Sequence, residues 1–317
     1  YNPSLKRKVP KSTIGTSVSF NKFYYVDDAA YAFLSRKDIE DASKLIKSHF
    51  TRFGLTVHCG DRRNDGKSKT EAMYIPPPGK IATATDTADI IINEFEFFSY
   101  TDKFKHRGTI FTPSLKDDLD IQRRITQACG AFATMKRVLC SEDIPVKLRV
   151  RLYDATVINI LLWGCESWAL TEELRRKLEV CHHRFLRKMV GITIYDVKDN
   201  HISNKQVREE LTCYKIHQSL ELRRARWLKK LAHMNDKRGP KNALRSWIYN
   251  EPRKQGGQQQ HIRTSLSITL TDSLHFESDK MNDWMLEAKE PKKWATRIET
   301  ALNLVPDTYK PFKLRRW

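Results

Sequence analysis

The residues best suited to chemistry in this sequence are Tyr25-Val26-Asp27-Asp28. Two adjacent carboxylates at a tight turn repel each other unless a cation neutralises them. Mg²⁺ takes oxygen ligands of this kind and shares them with substrate phosphates. A pair of such ions, roughly 3.5–4 Å apart, clamps the attacking and leaving oxygens of a phosphoryl transfer. A turn between strands suits that task because it projects side chains from a stiff base. The plain alternative is a solvated Asp-Asp turn in an ordinary hairpin. The dipeptide alone favours that alternative; the Tyr-Val prefix and the apolar runs on both sides shift the balance toward metal binding.

Three other groups carry reactive or charged residues. Cys181-His182-His183 has metal-binding residue types. Adjacent helical residues point in different directions, so the three cannot all face one ion. Cys165 completes no tetrahedral set with zinc-site spacing. The expectation is therefore a buried helix cysteine with exposed histidines. Arg223, Arg224, Arg226, Lys229 and Lys230 crowd one segment around Trp227. Leu220 and Leu231 share its helical spacing, so Trp227 is expected in the core. The five cations would then face solvent, where phosphates can be neutralised. Arg184, Arg187 and Lys188 form a second cluster of the same kind. A merely solvated charged face competes with both readings.

The composition fits a polyanionic partner. Among 317 residues, 57 Lys and Arg outweigh 38 Asp and Glu, a net charge of +19. The pI is near 9.7, which on a folded chain points to nucleic acid. The chain is 40% hydrophobic, with seven Trp and fourteen Phe, enough for a real core. Its six cysteines are scattered without a C-x-x-C, as in a reducing compartment. No signal peptide opens the sequence. The most apolar stretch, Val157 to Trp163, is too short to span a bilayer. An intracellular protein of cytoplasm and nucleus, not secreted and without a membrane partner, is expected. The first residue is Tyr1, not Met, which suggests a piece of a longer reading frame.

The elements that must position these residues are legible in outline. Residues 16–34 read as strand, turn, strand. Ser35 is a candidate N-cap with Asp38 three residues on. Ile39, Ala42, Leu45, Ile46, Phe50 and Phe53 follow at helical spacing, and Gly54 ends the helix. Leu55 to Cys59 and Ala72 to Ile75 are candidate strands, with Asp65-Gly66 as a turn between them. Residues 80–112 look β-rich. Helices follow: one with Ile121, Ile125, Ala128, Phe132 and Met135 on a face, and one over about 145–161. A third runs from the candidate cap Thr171 to Gly191, and a fourth over about 214–234. After Gly239-Pro240 the pattern weakens through Gly256-Gly257-Gln258-Gln259-Gln260. A short helical region over about 283–302 and a basic tail, Lys313 to Trp317, close the chain.

At Phe23-Tyr24-Tyr25-Val26-Asp27-Asp28 the sequence resembles the active-site hairpin of reverse transcriptases, whose signature is Tyr-x-Asp-Asp. Further blocks resemble the non-LTR retrotransposon branch of that family, in order. They are Phe53-Gly54-Leu55, Lys69-Thr70-Glu71, and Phe104-Lys105 with Gly108-Thr109. Then come Leu161-Leu162-Trp163-Gly164-Cys165-Glu166-Ser167-Trp168, Arg184-Phe185-Leu186-Arg187 with Gly191-Ile192, and Arg223-Arg224-Ala225-Arg226-Trp227-Leu228. Asp283-Trp284-Met285 with Trp294 is a fainter echo. The similarity spans about residues 20–300 and departs from the family block at His106 and Arg107.

The resemblance implies an α+β fold. A truncated palm with the hairpin would occupy 1–112, a mostly helical thumb-like region 113–238, and a loosely structured extension 239–317. It implies an RNA-directed DNA polymerase working with Mg²⁺ on an RNA template and a DNA primer, or an RNA–DNA hybrid, and on deoxynucleoside triphosphates. Asp27 and Asp28 would be catalytic metal ligands, and Lys69 would neutralise or protonate the leaving pyrophosphate. Phe104 and Gly108 would lie on the primer side. Arg184, Arg187, Lys188, Arg223, Arg224, Arg226, Lys229 and Lys230 would hold nucleic acid. The family also needs an Asp on an earlier strand and a fingers region. This chain supplies neither, so alone it is expected not to polymerise. The alternative is a non-catalytic nucleic-acid-binding remnant or recruited protein.

Overall fold

The computed structural model describes residues 22–25, 28–64, 66–77, 80–199, 201–246, 262–277 and 281–302. Val26, Asp27, Asp65, the glutamine-rich linker and the basic tail lie outside the described residues. The chain divides into two compact units, Tyr1–Lys116 and Asp117–Trp317.

In the first unit, β1 (Lys22–Tyr25) pairs antiparallel with β2 (Asp28–Tyr31), Tyr25 opposite Asp28. Helix α1 (Arg36–Arg52) follows. Its cap is Ser35, whose hydroxyl accepts from the Asp38 amide at 3.1 Å. Strands β3 (Gly60–Asp61), β4 (Glu71–Ala72), β5 (Ile90–Ile91) and β6 (Glu96–Tyr100) form a second sheet with β6 at its centre. β3 and β5 run antiparallel to β6, and β4 runs parallel to it. The core is small: Ala72, Ile90, Ile92 and Phe98, with Ile39 of α1 against them. Leu45 and Phe53, expected on a buried helix face, are 71% and 70% exposed. The β1–β2 hairpin, through Lys22, Tyr24 and Tyr31, faces Leu45 and His49 across an open groove without covering them. Polar ties hold the helix instead: the Arg36 guanidinium donates to the Thr85, Ala88 and Asp89 carbonyls, and Lys47 pairs with Glu96. Leu55 to Cys59 is an extended loop, not a strand, apart from the β3 pairing that starts at Gly60.

A separate hairpin joins β7 (Phe104–His106) to β8 (Thr109–Phe111), with His106 opposite Thr109. Its two turn residues, Arg107 and Gly108, both take positive φ, 52° and 83°. That is the mirror-image turn whose twist matches the flanking strands, and it favours glycine at the second site.

The second unit is helical. α2 spans Asp118–Leu139. A nearly continuous run follows: α3 (Val146–Tyr153), a π turn over 154–158 and α4 (Asn159–Leu161). α5 (Glu172–Met189) is capped by Thr171, which accepts from the Leu174 amide at 3.3 Å. The Gly191 and Ile192 amides close its C-terminus by donating to Lys188 and Arg187. α6 (Ile194–Asp199) and α7 (Asn204–Leu211) were not apparent from periodicity, although Ser203 and Gln206 make a complete capping box. Then come α8 (Ile216–His233), α9 (Gly239–Ser246), α10 (Ile262–Ile268), α11 (Met281–Lys289) and α12 (Pro291–Ala301).

Two cores meet at α8. Its Ile216 and Leu220 join Ile121, Phe132, Tyr153, Leu161, Trp168 and Phe185. Its Ala225, Leu228 and Leu231 join Leu266, Leu270, Trp284 and Trp294. Residues after 239 are thus not a loose extension where the structure describes them. Trp284 and Trp294 are each 1% exposed, and the Trp294 indole N–H donates to the Ala225 carbonyl at 3.1 Å. Burying two indoles outweighs the polar linker that weakened the sequence pattern.

Candidate metal hairpin and basic helical surface

The hairpin presents Asp28 at the first position of β2, exposed to solvent. Beside it the Tyr24 hydroxyl donates to the Tyr31 hydroxyl at 3.0 Å, with the rings edge to face. Burial, then that bond, pushes the Tyr31 phenol up. Asp28 offers hard oxygen donors of the kind Mg²⁺ accepts. Among the described residues no group of three or more His, Cys, Asp or Glu side chains is placed to hold a metal.

Lys69 lies in the loop before β4, its side chain exposed. The loop itself is built. The Lys69 amide donates to His58 Nδ1 at 3.1 Å, and buried Ser68 Oγ bonds the Thr70 and His58 carbonyls. Phe104 is half-buried on β7, its ring stacked on His106 at 5.9 Å between centroids. Gly108 is in the mirror-image turn. Among the described residues no hydrogen bond or ion pair links Lys69, Phe104 or Gly108 to Asp28.

The basic clusters of the helical unit sort differently from the sequence reading. α8 is buried on most of its circumference. Its solvent-facing stripe carries Arg223, Arg226, Lys230 and His233, at spacings of three and four residues, as one face of a helix requires. Arg223 is half-buried and donates to Asn159 Oδ1. Lys229 and Trp227 are half-buried at the edge of the stripe, Trp227 packing against the second core.

Arg224 departs from the expectation. It is 0% exposed and donates to the Trp168 carbonyl at 2.7 Å and to Glu221 at 3.5 Å. Burial lowers its pKa from the ordinary guanidinium value. A phosphate cannot reach it. Its position was readable: it stands four residues from both Leu220 and Leu228, on the apolar side.

On α5, Arg184 is exposed, donates to Cys129 Sγ at 2.9 Å and lies over the Phe185 ring. Arg187 donates to Asn204 Oδ1 at 3.2 Å, and Lys188 is exposed. A shallow groove of about 460 Å³ runs between α2 and α5, with Arg176, Lys177 and Arg184 on its wall.

The histidines also differ from expectation: His182 and His183 are buried, 2% and 5% exposed. α7 and the Tyr214 segment cover them. His182 Nε2 lies 3.0 Å from the Tyr214 carbonyl, which can only accept, so Nε2 carries the proton and Nδ1 accepts from the Tyr153 hydroxyl at 2.8 Å. Burial pushes the His182 pKa down to about 3. His183 Nε2 accepts from Arg208 at 2.7 Å, and burial lowers its pKa as well. Burial likewise pushes the Cys181 thiol up to about 12.

Similarity to known proteins points to the transposable elements as a class. Over 238 residues the chain is 23% identical to an uncharacterised transposon-derived protein of Caenorhabditis elegans, covering 74% of this chain and 81% of that one. That likeness is consistent with a transposable-element origin. No protein-family profile matches the chain, and no solved structure matches it. Among the described residues no helix is long and apolar enough to cross a membrane.

Proposed function

We propose that this chain is the C-terminal part of a non-LTR reverse transcriptase, and that its helical unit holds the nucleic acid on which the polymerase acts. The observation that carries the reading is the ordered series of motifs from Tyr25-Val26-Asp27-Asp28 to Arg223-Arg224-Ala225-Arg226-Trp227-Leu228. The similarity to a transposon-derived protein supports it. So does the antiparallel hairpin that brings Tyr25 opposite Asp28, and so does the basic stripe of α8.

In that reading Asp28, with Asp27 beside it in sequence, would hold Mg²⁺, whose Lewis acidity would polarise a phosphate. Lys69, exposed in the loop before β4, would offer an ammonium to a leaving pyrophosphate. Arg226 and Lys230 would bind backbone phosphates of an RNA–DNA hybrid without reading sequence. Arg224 would instead lock α8 to the Trp168 segment. The alternative occupant of the same surface is nucleic acid held without catalysis, as in a recruited protein.

The test is hybrid binding by the purified chain across a salt series. Each phosphate contact contributes a slope of roughly 0.7–0.9 in log K against log salt. The double variant Arg226→Ser/Lys230→Ser is expected to lower the slope by about 1.5, whereas Arg224→Met leaves it unchanged. No binding by the folded chain at low salt would refute the reading.

A further inference from the structure

We propose that Trp163 is a base-stacking platform for single-stranded nucleic acid, reached along the basic stripe of α8. The inference rests on the nucleic-acid reading above and assigns a contact residue that the reading lacks.

Trp163 sits where the run from α3 to α4 ends. The Cys165 amide donates to the Leu162 carbonyl at 3.3 Å, closing a turn with Trp163 second and Gly164 third. Gly164 has φ 78° and ψ 9°, the conformation a type II turn demands of its third residue and one that favours glycine. The second position of such a turn is its apex. The burial pattern follows: Leu161, Leu162 and Cys165 are each 0% exposed, while the indole between them is 55% exposed. The fold thus buries Leu161, Leu162 and Cys165 around this indole and leaves the largest side chain of the turn facing solvent, where a flat aromatic partner can cover it.

Its surroundings select what that something is. The Arg124 guanidinium lies over the indole, 5.9 Å from the ring centroid, in cation–π range. Arg223 donates to Asn159, which stands four residues before Trp163 in the chain. Arg223 also begins the stripe that continues through Arg226 to Lys230, about 10 Å at the helical rise. A line of cations leading to an exposed aromatic face matches a strand with phosphates outside and an unstacked base at one end. A duplex offers no free base face except at its end, so the single strand is favoured. Arg124 itself pairs with buried Asp120 at 3.8 Å, so the exposed cations of this surface are Arg226 and Lys230, which disfavour a basic partner.

The experiment measures binding of the whole chain to a labelled oligothymidylate and to an abasic strand of equal length. The wild type is expected to bind the base-bearing strand about 5- to 150-fold more tightly, the range for stacking one base. Trp163→Ala should lose that preference yet bind the abasic strand as before, and Trp163→Phe should keep most of it. Photocrosslinking of a 5-bromouridine strand to the wild type, mapped by mass spectrometry, should place an adduct on Trp163. Undiminished preference in Trp163→Ala, or adducts confined to other residues, would overturn the platform while leaving hybrid binding intact. Failure of the wild type to bind any strand or hybrid at low salt would overturn both readings. A protein bound through Trp163 in place of nucleic acid would show as unchanged oligonucleotide affinity in the variant, which also rejects the proposal.

Discussion

Replacing Arg224 by Met tests whether this cation is structural. Met keeps most of the apolar stem but removes the guanidinium. Arg224 is 0% exposed and Glu221 is 3% exposed, so solvent cannot replace what is lost. The change leaves the Glu221 carboxylate accepting from the Thr269 hydroxyl without its buried counter-charge and strands the Trp168 carbonyl. Breaking one side of a buried ion pair costs about 3–5 kcal/mol. A stranded carbonyl falls in the range of about 1–3 kcal/mol and overlaps with that figure. Against a typical total of about 5–15 kcal/mol, the loss is large. With a urea slope of about 2–3 kcal/mol per molar, it moves the midpoint of the helical unit down by roughly 1–2.5 M. The assay is urea unfolding at neutral pH, followed by far-UV circular dichroism and by tryptophan fluorescence. The double variant Glu221→Met/Arg224→Met removes both charges and should recover most of the loss, because apolar groups of similar volume replace a pair that paid full desolvation. A single variant within about 1 kcal/mol of wild type would refute the reasoning. So would a double variant as unstable as the single one.

Three further outcomes are expected. His182 is held neutral by burial with its pKa down at about 3, against an ordinary value of 6.5. As pH falls below about 6.5 the unfolded chain takes up the proton first, so stability present above that pH is lost progressively toward pH 3, by up to about 1.4 kcal/mol per pH unit. His182→Gln should be less stable at pH 7 but should fall less steeply between pH 6.5 and 4; parallel profiles in chemical denaturation would contradict this. Gly164→Ala forces a Cβ into φ 78° and should cost about 1–2 kcal/mol, read as a lowered urea midpoint, with no loss meaning that the turn relaxes. Thr171→Ala removes the acceptor for the Leu174 amide and should cost about 1 kcal/mol; unchanged thermal unfolding would show that the cap contributes nothing.

Local signals in the chain were read well where one residue contacts its near neighbours. Ser35 and Thr171 accept from the third amide of their helices, because a cap depends only on three or four adjacent residues. The strand pair around Asp28 followed from β-forming residues on both sides of an acidic turn, and the face of α2 carrying Ile121, Ala128 and Phe132 from helical spacing. α7 could have been found too, since Ser203 and Gln206 spell its capping box.

What sequence alone determined is thus the candidate chemistry, the caps at Ser35 and Thr171, the charge, and an ordered set of motifs. What only the tertiary structure decided is which of those side chains meet water. Helical spacing sets Arg224 on the apolar side of α8 and Arg226 off it, but only the packed structure supplies the Trp168 carbonyl and Glu221 that hold the buried guanidinium. His182 is buried because α7 and the Tyr214 segment cover it, and Trp163 is exposed because a glycine turn lifts it from between buried neighbours. Burial is set by what packs from distant parts of the chain, and periodicity along one helix cannot report how many of its faces another element covers.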